Sequence, residues 1–200
     1  MIHTITKHLA ALAVALLPAT GMATDFTVDG IWYDITSTST VEVAGARRDA
    51  GSGGRIVIPS TVEYRGQTYR VTAIGNKAFE NDTYVTSVSI PGSVTTIGDY
   101  GFRNCDSLTT VTMSEGLTTI GDYGFQGCDA LTAVDIPDGV TTIGDECFSN
   151  CDALTAVDIP DGVTTLGDYC FANCHALTSL SIPGSVTSFG SGCFRYCTSL

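Results

Sequence analysis

The chain says the same thing several times over. Leu131 to Ala153 reads LTAVDIPDGVTTIGDECFSNCDA, and Leu154 to Ala176 reads LTAVDIPDGVTTLGDYCFANCHA, with 19 of 23 positions identical. Phe79, Phe102, Phe125, Phe148, Phe171 and Phe194 stand 23 residues apart, as do the glycines from Gly75 to Gly190. Cys105 to Cys197, Leu108 to Leu200 and the run Ile90, Met113, Ile136, Ile159, Ile182 keep the same interval. A fixed period of roughly 20–50 residues is the mark of a solenoid, in which each repeat buries its apolar face only by stacking on its neighbours.

Within one period the apolar positions are Leu131, Val134, Ile136, Val140, Ile143, Phe148 and Cys151. Val134 and Ile136 alternate with Ala133 and Asp135, which predicts a short strand with one buried face. Pro137 ends it, and Val140 to Ile143 predicts a second extended piece. Gly144 supplies a sharp turn. Asp145 then occupies a helix N-cap position before ECFSNC, so the expectation there is one helical or 3-10 turn carrying Phe148 and Cys151 inward.

The ends depart from the period. Lys7 and His8 precede the apolar run Leu9–Leu17, and Gly21 and Ala23 are small, which reads as a secretory signal peptide cleaved after Ala23. The run of nine is far short of the roughly 20 residues that span a bilayer. All 21 acidic residues follow it, against eight Lys and Arg, so the remainder carries −13. Such a surface repels phosphate backbones and argues against nucleic-acid partners.

The pattern L-x-x-V-x-I-P-x-x-V-x-x-I-G-x-x-x-F-x-x-C-x-x resembles the BspA-type leucine-rich repeat over about Ile74 to Leu200, roughly five and a half copies. FTVDGIWYDI and IVIPSTVEYRGQTYRVTAIG resemble the N-terminal region of such exported surface proteins. The resemblance implies a leucine-rich-repeat solenoid, mainly β or α/β, right-handed, with short parallel strands and short helical turns. It also implies a cell-surface module that binds protein partners, whether host matrix or other bacterial surface proteins. The division expected is signal peptide 1–23, N-terminal β cap 24–70 and repeats 71–200. YRGQTY reads as a hairpin turn and GARRDAGSGGR as a flexible loop. Nothing polar follows the last coil at Leu200, so the chain is expected to be a piece of a longer protein and to self-associate through that end.

Chemistry-bearing residues are few. The eight cysteines fall in two columns, and Cys147, Cys170 and Cys193 stand where earlier repeats have Ala78, Gly101 and Gly124. That substitution pattern asks for a small buried residue. Stacked side chains point in parallel rather than at each other, so buried thiols are expected, with disulfides the alternative. The Cys-x-x-x-Cys pairs lack zinc-site partner spacing, and neither a metal nor a cofactor is expected. Asp99, Asp122, Asp145 and Asp168 read as caps. Asp135, Asp138, Asp158 and Asp161 surround the strand end of two adjacent coils, as a solvated face or a site for a divalent ion or cationic partner. Thr112 and Ser181 belong to the outward ribbon of small polar residues, and Tyr100, Tyr123 and Tyr169 form a column that packs a rim or anchors a partner. No G-x-S-x-G and no phosphate loop occurs, and His175 is the one histidine past the leader, so catalysis is not expected. A structural spacer and a glycan-binding component are the alternatives to protein binding; absence of a Trp platform outside Trp32 argues against the latter.

Overall fold

The computed structural model describes residues 24–47 and 52–200. The expected signal peptide and residues 48–51 of the Gly45–Arg55 loop lie outside the described residues. The N-terminal part holds β1 (Phe26–Val28), β2 (Ile31–Ile35), β3 (Thr40–Ala46), β4 (Arg55–Val57), β5 (Thr61–Tyr64) and β6 (Gln67–Ile74). Each following coil contributes two strands: β7 (Ser87–Ile90) and β8 (Thr96–Ile97), β9 (Thr110–Met113) and β10 (Thr119–Ile120), β11 (Ala133–Asp135) and β12 (Thr142–Ile143). β13 (Ala156–Asp158) and β14 (Thr165–Leu166), then β15 (Ser179–Ser181) and β16 (Ser188–Phe189), complete the stack.

The protein is a β-solenoid of short parallel strands. One face is a continuous sheet in the order β1-β2-β3-β6-β8-β10-β12-β14-β16, with β5 paired to β6. Its register puts Ile74, Ile97, Ile120, Ile143, Leu166 and Phe189 in one row. The other face carries the ladders β4-β7-β9 and β11-β13-β15. Because β4 already pairs in parallel with β7, Arg55 opposite Ser87, the coil register runs from Arg55. The β5–β6 hairpin is an insertion into that first coil, and its turn, Arg65 and Gly66, has φ of 53° and 80°, both left-handed as a type I′ turn requires. The antiparallel β1-β2-β3 then joins the stack edge through the parallel β3–β6 pair.

Between Gly144 and Cys151 the structure differs from the expected helical turn. Among the described residues the one helical turn is Ser52–Gly54. Each coil instead places two residues in left-handed backbone, such as Tyr100 and Asn104 (φ 59° and 54°) or Glu146 and Asn150 (50° and 59°). The reason is hydrogen bonding. The N–H groups of Tyr123, Phe125 and Gly127 donate to the carbonyls of Asp145, Cys147 and Ser149 in the next coil at 2.8–2.9 Å. The intervening amides of Gly124, Gln126 and Cys128 close tight turns three residues back. A helix would turn every amide back along its own chain and leave none for the neighbouring coil. The inter-coil bonds offset a cost of about 1–2 kcal/mol for each left-handed non-glycine residue.

The core is a set of stacked columns. The Phe79–Phe171 rings are buried and parallel, with centroids 5.0–5.5 Å apart. All eight cysteines are free thiols. Those of Cys105, Cys128, Cys151 and Cys174 each donate to the carbonyl of the Phe 26 residues earlier, at 3.1–3.2 Å. A small residue with one weak donor therefore satisfies a buried carbonyl of the previous coil, which explains the column without a cross-link. Threonines do the same at the surface: the hydroxyls of Thr109, Thr118, Thr155 and Thr178 each donate to a Thr carbonyl one coil back at 3.0–3.2 Å.

Candidate binding surfaces

The sequence offered two aspartate rows, and the fold uses them differently. In the row Asp99, Asp122, Asp145, Asp168, each Oδ1 accepts the amide N–H of the equivalent residue in the next coil at 2.6–3.0 Å. Asn76 opens this ladder by accepting from Asp99, and Ser191 closes it. The expected capping role is thus corrected: there is no helix to cap, and the carboxylate satisfies an amide 23 residues away. Glycine is required beside it, since a Cβ on Gly121 would lie 2.4 Å from Asp99 Oδ1 and 2.8 Å from its amide nitrogen.

The other row is unused by the fold. Asp135 pairs in register with Asp158, and Asp158 with Ser181. Asp138 and Asp161 follow on the same two coils, and Thr112 stands on β9 opposite Ser89. All six are exposed, and none of these side chains makes a hydrogen bond among the described residues. Sequence reasoning missed a third row, Asp106, Asp129, Asp152, which stands just before the strands and ends on His175. Burial, with the neighbouring Asp106 and Asp152 charges, raises the Asp129 carboxyl above its ordinary range. His175 Nδ1 lies 2.8 Å from Asp152 Oδ1 at the surface. The signal was legible: Asp follows Cys in three successive repeats. No group of three or more Asp, Glu, His or Cys among the described residues is disposed to hold a metal ion.

The tyrosine column is split. Tyr100 and Tyr123 stack with centroids 4.7 Å apart and planes 3° from parallel. Lys77 Nζ lies 5.3 Å from the Tyr100 ring, and the Arg103 guanidinium 5.3 and 6.0 Å from the two rings. Arg103 donates to Gln126 Oε1 (2.9 Å) and Glu80 Oε1 (3.2 Å), and Gln126 Nε2 to Glu146 Oε2 (2.6 Å). Both rings are half-buried and packed against these side chains along the rim of the stack. Glu146 takes the next place in the column, so Tyr169 stands apart from them. The Glu146 charge is also the main reason the Tyr123 hydroxyl is raised above its ordinary pKa. In the last coil Ile182, Phe189, Tyr196 and Leu200 are exposed.

Two stacked parallel faces, a Phe spine and a 23-residue period define a leucine-rich-repeat solenoid. The sequence model of the BspA type leucine rich repeat region matches residues 72–200 in six copies, and the chain belongs to that family. Solved structures agree. A leucine-rich repeat protein from Bacteroides ovatus is 37% identical, over 88% of this chain and 46% of that one, with a TM-score of 0.82. A leucine rich cell surface protein from Faecalibacterium prausnitzii is 31% identical over 92% of this chain and 54% of its own, with a TM-score of 0.75. The T. pallidum leucine rich repeat protein is 26% identical, covering 87% of this chain and 89% of that one, at a TM-score of 0.71. The chain thus spans about half the length of the first two. A search of curated protein sequences finds no match. No helix among the described residues is long and apolar enough to cross a membrane.

Proposed function

We propose that this chain is a non-catalytic, exported surface module that binds a protein partner through the β7–β9–β11–β13–β15 side of the solenoid. The observation that carries the reading is the unbonded acidic row. Where a carboxylate serves the fold, as in Asp122, it is tied to the next coil; Asp135, Asp138, Asp158 and Asp161 are tied to nothing among the described residues. Family proteins are typically at the cell surface, and the F. prausnitzii relative is a cell surface protein. With a formal charge of −12, the chain favours partners presenting basic patches. Small Thr and Ser residues around the acids, Thr112 and Ser181 among them, give modest contact area, so affinity would build by avidity over repeats.

The test is surface-plasmon binding of the purified protein to immobilised matrix proteins, with a variant changing Asp135, Asp138, Asp158 and Asp161 to Ser. Saturable, salt-sensitive binding that the variant loses supports the reading. Equal binding by both overturns the site, and no binding at all favours a spacer that presents other domains.

A further inference from the structure

The solenoid also carries a groove on the turn side, away from the strands. Its origin lies in two rows of the turn segment. The first runs Lys77, Tyr100, Tyr123, Glu146, Tyr169, Gly192, and the second Glu80, Arg103, Gln126, Ser149, Ala172, Arg195. In the early coils large side chains fill both rows, with Arg103 lying over two tyrosines. At Ser149 and Ala172 the second row shrinks, and both residues are buried as a floor. Gly192 leaves room for the Tyr169 ring to lie down over the last coil, where a Cβ would meet that ring at 2.6 Å. The hollow that results is closed by Glu146 at one end and Arg195 at the other, with Asn173 along its side.

The polar groups facing this hollow are of both kinds. Asn173 Nδ2 donates to Asn150 Oδ1 and Asn150 Nδ2 to Ser149 Oγ, which fixes both amides and leaves the Asn173 carbonyl oxygen open as an acceptor. The Glu146 carboxylate accepts from Gln126 Nε2 and faces the Tyr123 hydroxyl, and a carboxylate's two oxygens carry lone pairs beyond those two contacts. Arg195 donates to the Tyr196 hydroxyl at 2.9 Å, faces the Tyr169 hydroxyl, and keeps further N–H groups free for a ligand. Tyr169 and Tyr196 are 36% and 57% exposed, so ring surface is available for contact.

From this geometry we infer that the groove binds a neutral saccharide, with sugar hydroxyls between Glu146, Asn173 and Arg195 and the apolar face of a ring against Tyr169. A hydroxyl both donates and accepts, so it pairs with carboxylate, amide oxygen and guanidinium alike. An anionic ligand meets Glu146 and the strongly acidic chain. An apolar peptide finds only Ala172 and ring faces, too little to desolvate the flanking charges. This site shares no residue with the acidic strand row, so it stands independently of the protein-binding reading.

The experiment is affinity gel electrophoresis of the purified protein through soluble mannan, xylan, galactan and β-glucan, with peptide-only gelatin as the comparison. Ala172→Arg fills the hollow with a side chain the same row already accepts at Arg103, and Glu146→Gln removes the charge while keeping the Gln126 contact. Circular dichroism establishes that each variant folds. We expect retardation by at least one polysaccharide, weakened about tenfold or more by Ala172→Arg and several-fold by Glu146→Gln, and unchanged in the four-aspartate variant. Retardation by none of the polysaccharides, by gelatin alone, or equally with folded Ala172→Arg overturns the inference.

Discussion

Raising the pH should unfold this protein through its thiols. Burial pushes the Cys128 and Cys174 thiols up to about 12 from an ordinary 9.0, and Cys105 and Cys147 further still, again chiefly by burial. These groups hold their protons more tightly folded than unfolded. Their stabilising effect is therefore complete below pH 9 and is lost as pH rises toward the folded values. At pH 10 the unfolded thiol is about nine-tenths ionised while the folded one is neutral, which costs about 1.4 kcal/mol per thiol. The four together cost about 6 kcal/mol, comparable with the whole stability of an ordinary domain. The assay is guanidinium unfolding in excess reductant, followed by circular dichroism from pH 7 to 10.5. The double variant Cys128→Ala, Cys174→Ala should lose about 2.5–3 kcal/mol less than the parent between pH 8 and pH 10. Identical pH slopes for parent and variant would show that these thiols are not desolvated in the folded state.

Two further perturbations probe coupling between coils. Asp122→Ala leaves the Asp145 amide without its 2.9 Å acceptor and should lower stability by about 1 kcal/mol at this exposed site, whereas Asp122→Asn, which keeps an oxygen there, should cost markedly less in the same denaturation assay. Phe125→Ala removes a fully buried ring from between Phe102 and Phe148 and should cost about 3–5 kcal/mol; Phe194→Ala, with one stacked neighbour at 5.9 Å, should cost clearly less by thermal unfolding. Equal losses at the two positions would refute the nearest-neighbour description of the stack.

The order of residues along the chain was enough to establish the solenoid. Burial in a repeat fold is a property of each position alone, so the 23-residue columns of Phe, Leu, Ile and Cys announce which side chains face inward. The strand pieces around Val134 and Ile143, the turn at Arg65–Gly66 and the outward setting of Asp135 and Asp158 follow from local pattern in the same way. Where partners lie one coil away, the pattern misleads. An Asp before a short polar-apolar run looks like a cap because both a helix end and a neighbouring coil offer it an amide; only the stack shows that Asp145 holds Asp168. The same stacking decided that Gly144 to Cys151 is a series of tight turns with Glu146 and Asn150 in left-handed backbone, because amides needed by the next coil cannot also close a helix. The first coil at Arg55 was hidden because the β5–β6 hairpin interrupts its period. The groove is the clearest case. It arises from side chains that are missing, Ser149, Ala172 and Gly192, in rows whose members meet only when three coils are laid side by side. Periodicity reports what each residue buries, whereas a cavity is set by what several residues, one full turn apart, leave unfilled.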